Sequence, residues 1–295
     1  MHRFIIAALV LVCTLSSARA ESASPIRFGL TPVVVQENLR FLDRWAEHLS
    51  NKVGRPVEFV RRRSYREITD LLKTGRLEFA WICGYPFVQK RDPEFLALLA
   101  VPVYKGEPLY HSFIIVHRDS PFAKLEDLRG GVFAFSDPES NSGFLYPQSV
   151  LANQGETLES FFRQTFFTFN HAETVEAVAE QVADGGAVDS YIWEYLRLFR
   201  PEIAEKTRVI MRSPKFGFPP LVSRLGVDAG VVSRMKSALA EMADDPKGRT
   251  FLEGLKLDRF GDFPPSLFDN IRHMANETRK ALPWLASANK RKKNR

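Results

Sequence analysis

Phe135-Ser136-Asp137-Pro138-Glu139-Ser140-Asn141-Ser142-Gly143 joins an apolar strand pattern, Val132 to Phe135, to a helical pattern that runs to about Asn153. A strand that ends in small hydroxyl and amide residues and resumes as a helix is the joint of an α/β unit. At such a joint the first backbone N–H groups of the helix have no intrahelical partner, and the helix dipole favours negative charge beside them. Ser140 and Ser142 add hydroxyl donors without bulk, Asn141 adds an amide, and Gly143 lets the backbone approach closely. Two readings of this turn stand side by side: a plain Ser N-cap, and a cradle for an anion. It carries neither a Walker lysine nor a pair of metal-binding acids at motif spacing, so phosphoryl transfer is not its chemistry.

The same alternation extends in both directions. Upstream, Ile26, Phe28 and Leu30 keep a strand period, and Leu39, Leu42, Ala46, Leu49 and Val53 line one helical face closed by Gly54. Val57 to Val60 reads as a second strand. Ser64 is placed to cap a helix carrying Ile68, Leu71 and Leu72, with Gly75 as its stop. Leu77 to Ile82 and part of Phe95 to Val103 read as further strands, and Phe113-Ile114-Ile115-Val116 is apolar throughout, which suits a sheet interior. Pro121 to Arg129 is a polar connector with one helical turn. Val175, Val178, Ala179 and Val182 form a helical face that Gly185-Gly186 is expected to end. Arg208 to Met211 and Leu221 to Ser223 read as short strands, and the remainder is mainly helical. Two α/β units of similar size, with the chain going out and returning, predict a cleft between lobes. Ligands of such units bind beyond the carboxyl ends of strands and at helix starts.

Composition narrows the class. His2 and Arg3, the apolar run Phe4 to Leu15, and Ala18-Arg19-Ala20 form a secretory signal peptide over 1–20, cleaved after Ala20. The run is too short for a membrane span, and Cys13 follows Val12 where a lipidated cysteine calls for a small residue. Cys83 is then the one remaining cysteine, so no intramolecular disulfide is expected. The formal charge of +6 falls to +4 without Arg3 and Arg19, and Lys290 to Arg295 supply five of those charges, leaving the body near −1. No nucleic-acid partner is expected from that balance, and 286–295 reads as a basic disordered tail. His48, His111, His117 and His273 show no metal-ligand spacing, so neither a metal nor a cofactor is expected. Neither G-x-S-x-G nor H-E-x-x-H occurs, so no catalytic residue is assigned and the chain does not read as an enzyme.

Several pieces in shared order carry a family resemblance: Phe28-Gly29-Leu30-Thr31-Pro32, Tyr65 opening its helix, and Gly75-x-Leu77-Glu78-Phe79-Ala80-Trp81. Then follow Tyr110-x-Ser112-Phe113-Ile114-Ile115-Val116, Asp127-Leu128-Arg129-Gly130, the Ser140 to Gly143 turn, and His171 before a helix. Val188-Asp189-Ser190-Tyr191 and Ser213-Pro214-x-Phe216-Gly217 complete the set. Over nearly the whole length after the leader the chain resembles the phosphate/phosphite/phosphonate-binding proteins of ABC importers. The resemblance implies a two-lobed α/β periplasmic binding protein of type II, with two hinge crossings and a central ligand cleft. Lobe 1 is expected at 25–111 plus 213–285 and lobe 2 at 112–212. It further implies a small tetrahedral anion held by Ser140, Asn141, Ser142 and Gly143, with Tyr65, Tyr110 and His171 completing the pocket. His171 reads equally well as a helix cap, and Glu194 is a further candidate that also reads as a solvated acid. The family turn usually runs Ser-Thr-Ser-Gly; Asn141 stands at its second place. Members that take an aminoalkyl group carry an acid where this chain has Pro219, ahead of Pro220-Leu221. The implied partner is an inner-membrane ABC permease, with the receptor a monomer in the periplasm. Signalling to a membrane sensor kinase is the alternative that uses the same hinge.

Overall fold

A computed structural model describes residues 24–32, 39–89 and 95–293, with side chains to residue 283. The expected signal peptide lies outside the described residues. In chain order the first elements are β1 (Ile26–Leu30), α1 (Leu39–Val53), β2 (Val57–Arg61), α2 (Tyr65–Lys73), β3 (Phe79–Trp81), α3 (Gly84–Gln89), β4 (Leu96–Val103) and β5 (Leu109–Tyr110). Next come β6 (Ser112–His117), β7 (Val132–Phe135), a π-helical turn Asn141–Leu145 continuing into α4 (Tyr146–Asn153), α5 (Leu158–Phe161), β8 (Gln164–Phe167), α6 (His171–Ala179), β9 (Gly185–Asp189), α7 (Ser190–Phe199), α8 (Pro201–Ala204) and β10 (Thr207–Arg212). The chain closes with β11 (Phe216–Gly217), β12 (Leu221–Arg224), α9 (Ala229–Ala240), α10 (Pro246–Leu255), β13 (Arg259–Gly261) and α11 (Asp269–Lys293).

Two sheets organise these elements. One has the order β13-β4-β12-β3-β1-β2 and the other β10-β6-β9-β7-β8. Their plans match. In each, three parallel strands (β2, β1, β3; β8, β7, β9) lie beside one antiparallel strand that arrives from the other lobe (β12; β6), and that strand also pairs antiparallel with the next. Helices cover both sheets, so the fold is α/β in two lobes. Between the sheets the two crossing segments pair with each other: Tyr110 opposes Phe216 and Leu109 opposes Gly217. Ser213 N donates to Ser112 O at 3.0 Å and Ser112 N to Ser213 Oγ at 2.8 Å.

Each lobe has an aromatic core. In the first, Trp45 lies against Phe59, Trp81 and Phe260, with centroids 4.9, 6.4 and 6.3 Å away. In the second, Phe133 stacks on Phe162 at 4.6 Å, and Phe135 meets Phe144 edge-on at 5.4 Å. Burying each such ring contributes on the order of 1.5–3 kcal/mol. The second core backs directly onto the strand that leads into the Ser140 turn.

Two readings of the sequence change. Gly185-Gly186 does not end a helix; it opens β9, while α6 stops at Ala179 and Val182 is exposed. The glycines are there for close approach: a Cβ on Gly186 would sit 2.8 Å from Thr174 Cγ2 and one on Gly185 2.8 Å from Leu128 Cδ1. The left-handed residue after α6 is instead Gln181, at φ 56. At the other end, the backbone of α11 carries on through most of the segment expected as a disordered tail, to Lys293. This helix packs on α3 of the first lobe and α4 of the second.

Candidate functional site

The joint quoted at the outset faces the first lobe. Ser140 is the N-cap of the π turn: its Oγ accepts from Gly143 N at 2.9 Å. Gly143 is obligatory, because a Cβ there would lie 1.8 Å from Ser136 Oγ and 3.0 Å from His171 Cε1. Ser140, Asn141 and Ser142 are fully buried. Opposite them, Ser64 caps α2 through a reciprocal box with Glu67, which fixes Tyr65 as the first residue of that helix.

Contacts across the cleft are direct. Tyr65 N donates to Asp137 Oδ2 at 3.1 Å, so a carboxylate of the second lobe caps a helix of the first. Asn141 N donates to Cys83 Sγ at 3.2 Å, and Asn141 Nδ2 to Tyr110 Oη at 2.9 Å. Thr69 Oγ1 meets Glu139 Oε2 at 3.3 Å. Within this knot Tyr65 Oη, Ser142 Oγ and Asn141 Oδ1 are buried and have no hydrogen-bond partner. Ser142 lies close enough to Tyr110 to temper the rise of its pKa but makes no bond of normal geometry. Leaving a buried polar group unmatched costs about 1–3 kcal/mol, and three sit together here.

His171, behind the turn, is read from its neighbours. Asp189 N donates to its Nδ1 at 3.1 Å, so Nδ1 is the acceptor. Burial pushes its pKa down to about 3, so the ring is neutral and carries its hydrogen on Nε2, 3.5 Å from Ser140 Oγ. Its helix is capped by Asn170, whose Oδ1 accepts from Ala172 N, so His171 itself is not the cap. Asp189 caps α7 through Tyr191 N, and burial raises its pKa to about 8. Burial likewise holds the Tyr65 and Tyr110 phenols well above their ordinary values and the Cys83 thiol at about 11.

The arrangement offers hydroxyl, amide and imidazole groups at a helix start, with Ser136 Oγ 2.8 Å from His171 Nδ1 behind them. A family model described as "ABC transporter, phosphonate, periplasmic substrate-binding protein" matches residues 28–267. The chain belongs to that family. By that membership it is a solute-binding receptor of an ABC transporter. Among the family's curated members, the phosphonates-binding periplasmic protein of Escherichia coli is 26% identical over 250 residues, covering 82% of this chain and 73% of its own. The binding component of an ABC phosphonate transporter from Pseudomonas aeruginosa superposes with a TM-score of 0.79 at 22% identity, over 92% of this chain and 98% of that one. PhnD1 from Prochlorococcus marinus, in complex with methylphosphonate, gives 0.76 at 19% identity, over 87% and 98%. At these identities the two structures speak for the fold.

Seven of the eight residues singled out in the sequence come together: Tyr65, Tyr110, Ser140, Asn141, Ser142, Gly143 and His171. Glu194 does not join them. Its Oε2 accepts from Tyr104 Oη at 2.6 Å and pairs with Lys105, in a part-exposed contact at the flank of the lobes. Tyr104 and Lys105, at the end of the first lobe's β4, capture the carboxylate before it can reach the cleft. Asp137 and Cys83 were not singled out as contacts. Both follow the carboxyl end of a strand, the position where ligands of α/β units gather, and that rule was the available signal.

Proposed function

We propose that this receptor captures a tetrahedral phosphorus oxyanion, of the phosphate, phosphite or phosphonate type, between its lobes and hands it to an inner-membrane ABC permease. The observation that carries the reading is the trio of unpartnered buried atoms: Ser142 Oγ and Asn141 Oδ1 in the turn after Ser140, and Tyr65 Oη on α2, whose first backbone N–H bonds to that same joint at Asp137. Two of the three belong to hydroxyls that can donate to oxyanion oxygens, and they come from opposite lobes. The neutral His171 points its Nε2–H at Ser140 Oγ, and Ser140 Oγ, which also accepts from Gly143 N, keeps its own hydrogen for a ligand. A ligand bonded to both lobes favours the closed arrangement through that shared contact alone. The lobes are taken as 25–111 with 213–285, and 112–212. The receptor works as a monomer after export and cleavage behind Ala20, and it binds without altering its cargo. The family description and a curated relative named for phosphonates support the ligand class. Thermal melting with phosphate, phosphite and methylphosphonate tests it: a ligand at 100 times its Kd stabilises by about 2.7 kcal/mol. No shift with any of the three would overturn the assignment.

A further inference from the structure

The buried site has no positive charge. Among the described residues its fully buried charged side chains are the carboxylates of Asp137 and Asp189, with no lysine or arginine, and His171 is neutral. An oxyanion held there is balanced by hydrogen bonds alone, and a doubly charged one is the harder case, because desolvation opposes charge.

Asn141 sharpens this. Its Nδ2 donates to Tyr110 Oη at 2.9 Å. What remains facing the site is Oδ1, fully buried and an acceptor only. Tyr65 and Ser142 hydroxyls can satisfy ligand oxygens, but Oδ1 needs a hydrogen from the ligand. A fully ionised oxyanion has none and would set lone pairs against lone pairs. We infer that the site takes its phosphorus oxyanion in a form that keeps an O–H, which donates to Asn141 Oδ1. This rests on the ligand class proposed above and makes Asn141 the residue that reads the ligand's protonation state.

The titratable groups around the site are Tyr65 on α2, Cys83 beyond β3, Tyr110 on β5, Asp137 and Glu139 in the turn, His171 on α6 and Asp189 at α7. The two phenols and the thiol ionise above neutral pH, and His171 far below it. Asp189 is the group whose own ionisation falls near the working range, so the test must separate it from the ligand.

Isothermal calorimetry on the mature protein from pH 5.5 to 9, with phosphite, phosphate and methylphosphonate, makes that separation. Above the second ionisation of phosphite or methylphosphonate, which removes the last O–H, the affinity should fall by about tenfold per pH unit, whereas phosphate, whose dianion keeps an O–H, should fall less. The pH at which the fall begins should move with the ligand, earliest for the more acidic phosphite and latest for methylphosphonate. Sulfate, fully ionised throughout, should bind at least about a hundredfold more weakly than phosphate at pH 6, a gap that one lost charged hydrogen bond supplies. In Asn141→Ala that gap should narrow. Affinity of phosphite and methylphosphonate independent of pH, a common midpoint for those two, or sulfate binding as tight as phosphate would each overturn the inference while leaving the receptor assignment standing. No binding of any phosphorus oxyanion at any pH would overturn the assignment beneath it.

Discussion

Ser140 and Ser142 look alike in the sequence and differ in the fold. Ser140 Oγ holds the helix start through Gly143 N, whereas Ser142 Oγ has no partner. Ser140→Ala should therefore lose about 1 kcal/mol of stability from the cap along with affinity. Ser142→Ala should leave the melting temperature unchanged or raise it, while weakening oxyanion binding by about 1.5–3 kcal/mol; calorimetry beside thermal melting reads both. Two buried residues behind the turn set a pH profile. Asp189 titrates at about 8 in the fold against its ordinary 3.8, so its contribution is complete below 3.8 and is lost as pH rises through 8. His171 titrates at about 3 against 6.5, so its contribution is complete above 6.5 and is lost as pH falls through 3. Between 3.8 and 6.5 the two slopes oppose each other, and from 6.5 to 8 only the Asp189 loss acts. Urea unfolding of Asp189→Asn, which keeps a capping side chain, should show that loss abolished. An unaltered slope would mean Asp189 is ionised in the fold. The sequence could name these residues as polar neighbours of strand ends, but burial and tautomer come only from packing.

At the scale of elements, the long patterns were readable and the short ones were not. The helix over Leu39–Val53 and the strand Ser112–His117 announce themselves by period or by unbroken apolarity. β5 and β11 have two residues each, too few for any period, and their pairing exists only because the two lobes bring them side by side. Gly185-Gly186 misleads for another reason: glycine after a helical face signals a stop, but here it admits Thr174 and Leu128 against a strand. The cap of α2 was legible, and it does more than end a helix. Ser64 and Glu67 hold the turn whose next residue, Tyr65, bonds to Asp137 through its backbone and presents its phenol to the site. Ser64→Ala should cost about 1 kcal/mol of stability and also reduce affinity severalfold, measured by calorimetry. A stability loss with unchanged affinity would show that Tyr65 holds its position without the cap.

The whole molecule turns on the ribbon formed by β5 and β11. Because the two crossings are paired, they act as one hinge, and few residues need rotate there. Saturating methylphosphonate should reduce the radius of gyration in solution scattering, and Tyr65→Phe, which removes the unpartnered hydroxyl of the first lobe, should lessen the reduction. A profile unchanged by a tightly bound ligand would make this a rigid binding module. The two-lobed plan was legible from strand–helix alternation, but the matched strand orders were not, since no residue repeat accompanies them. Those orders carry a consequence for biogenesis. Every strand of the second sheet lies in one unbroken stretch, 112–212, whereas the first waits for β12 to slot between β3 and β4. A chain threaded across a membrane from its N-terminus delivers its earliest strands first and can complete their sheet only last. Until Leu221–Arg224 emerges, β3 and β4 stand apart with open hydrogen-bonding edges, the condition in which strands recruit the wrong neighbour. The nascent first lobe, and not the finished receptor, is the form of this protein that has most need of a chaperone.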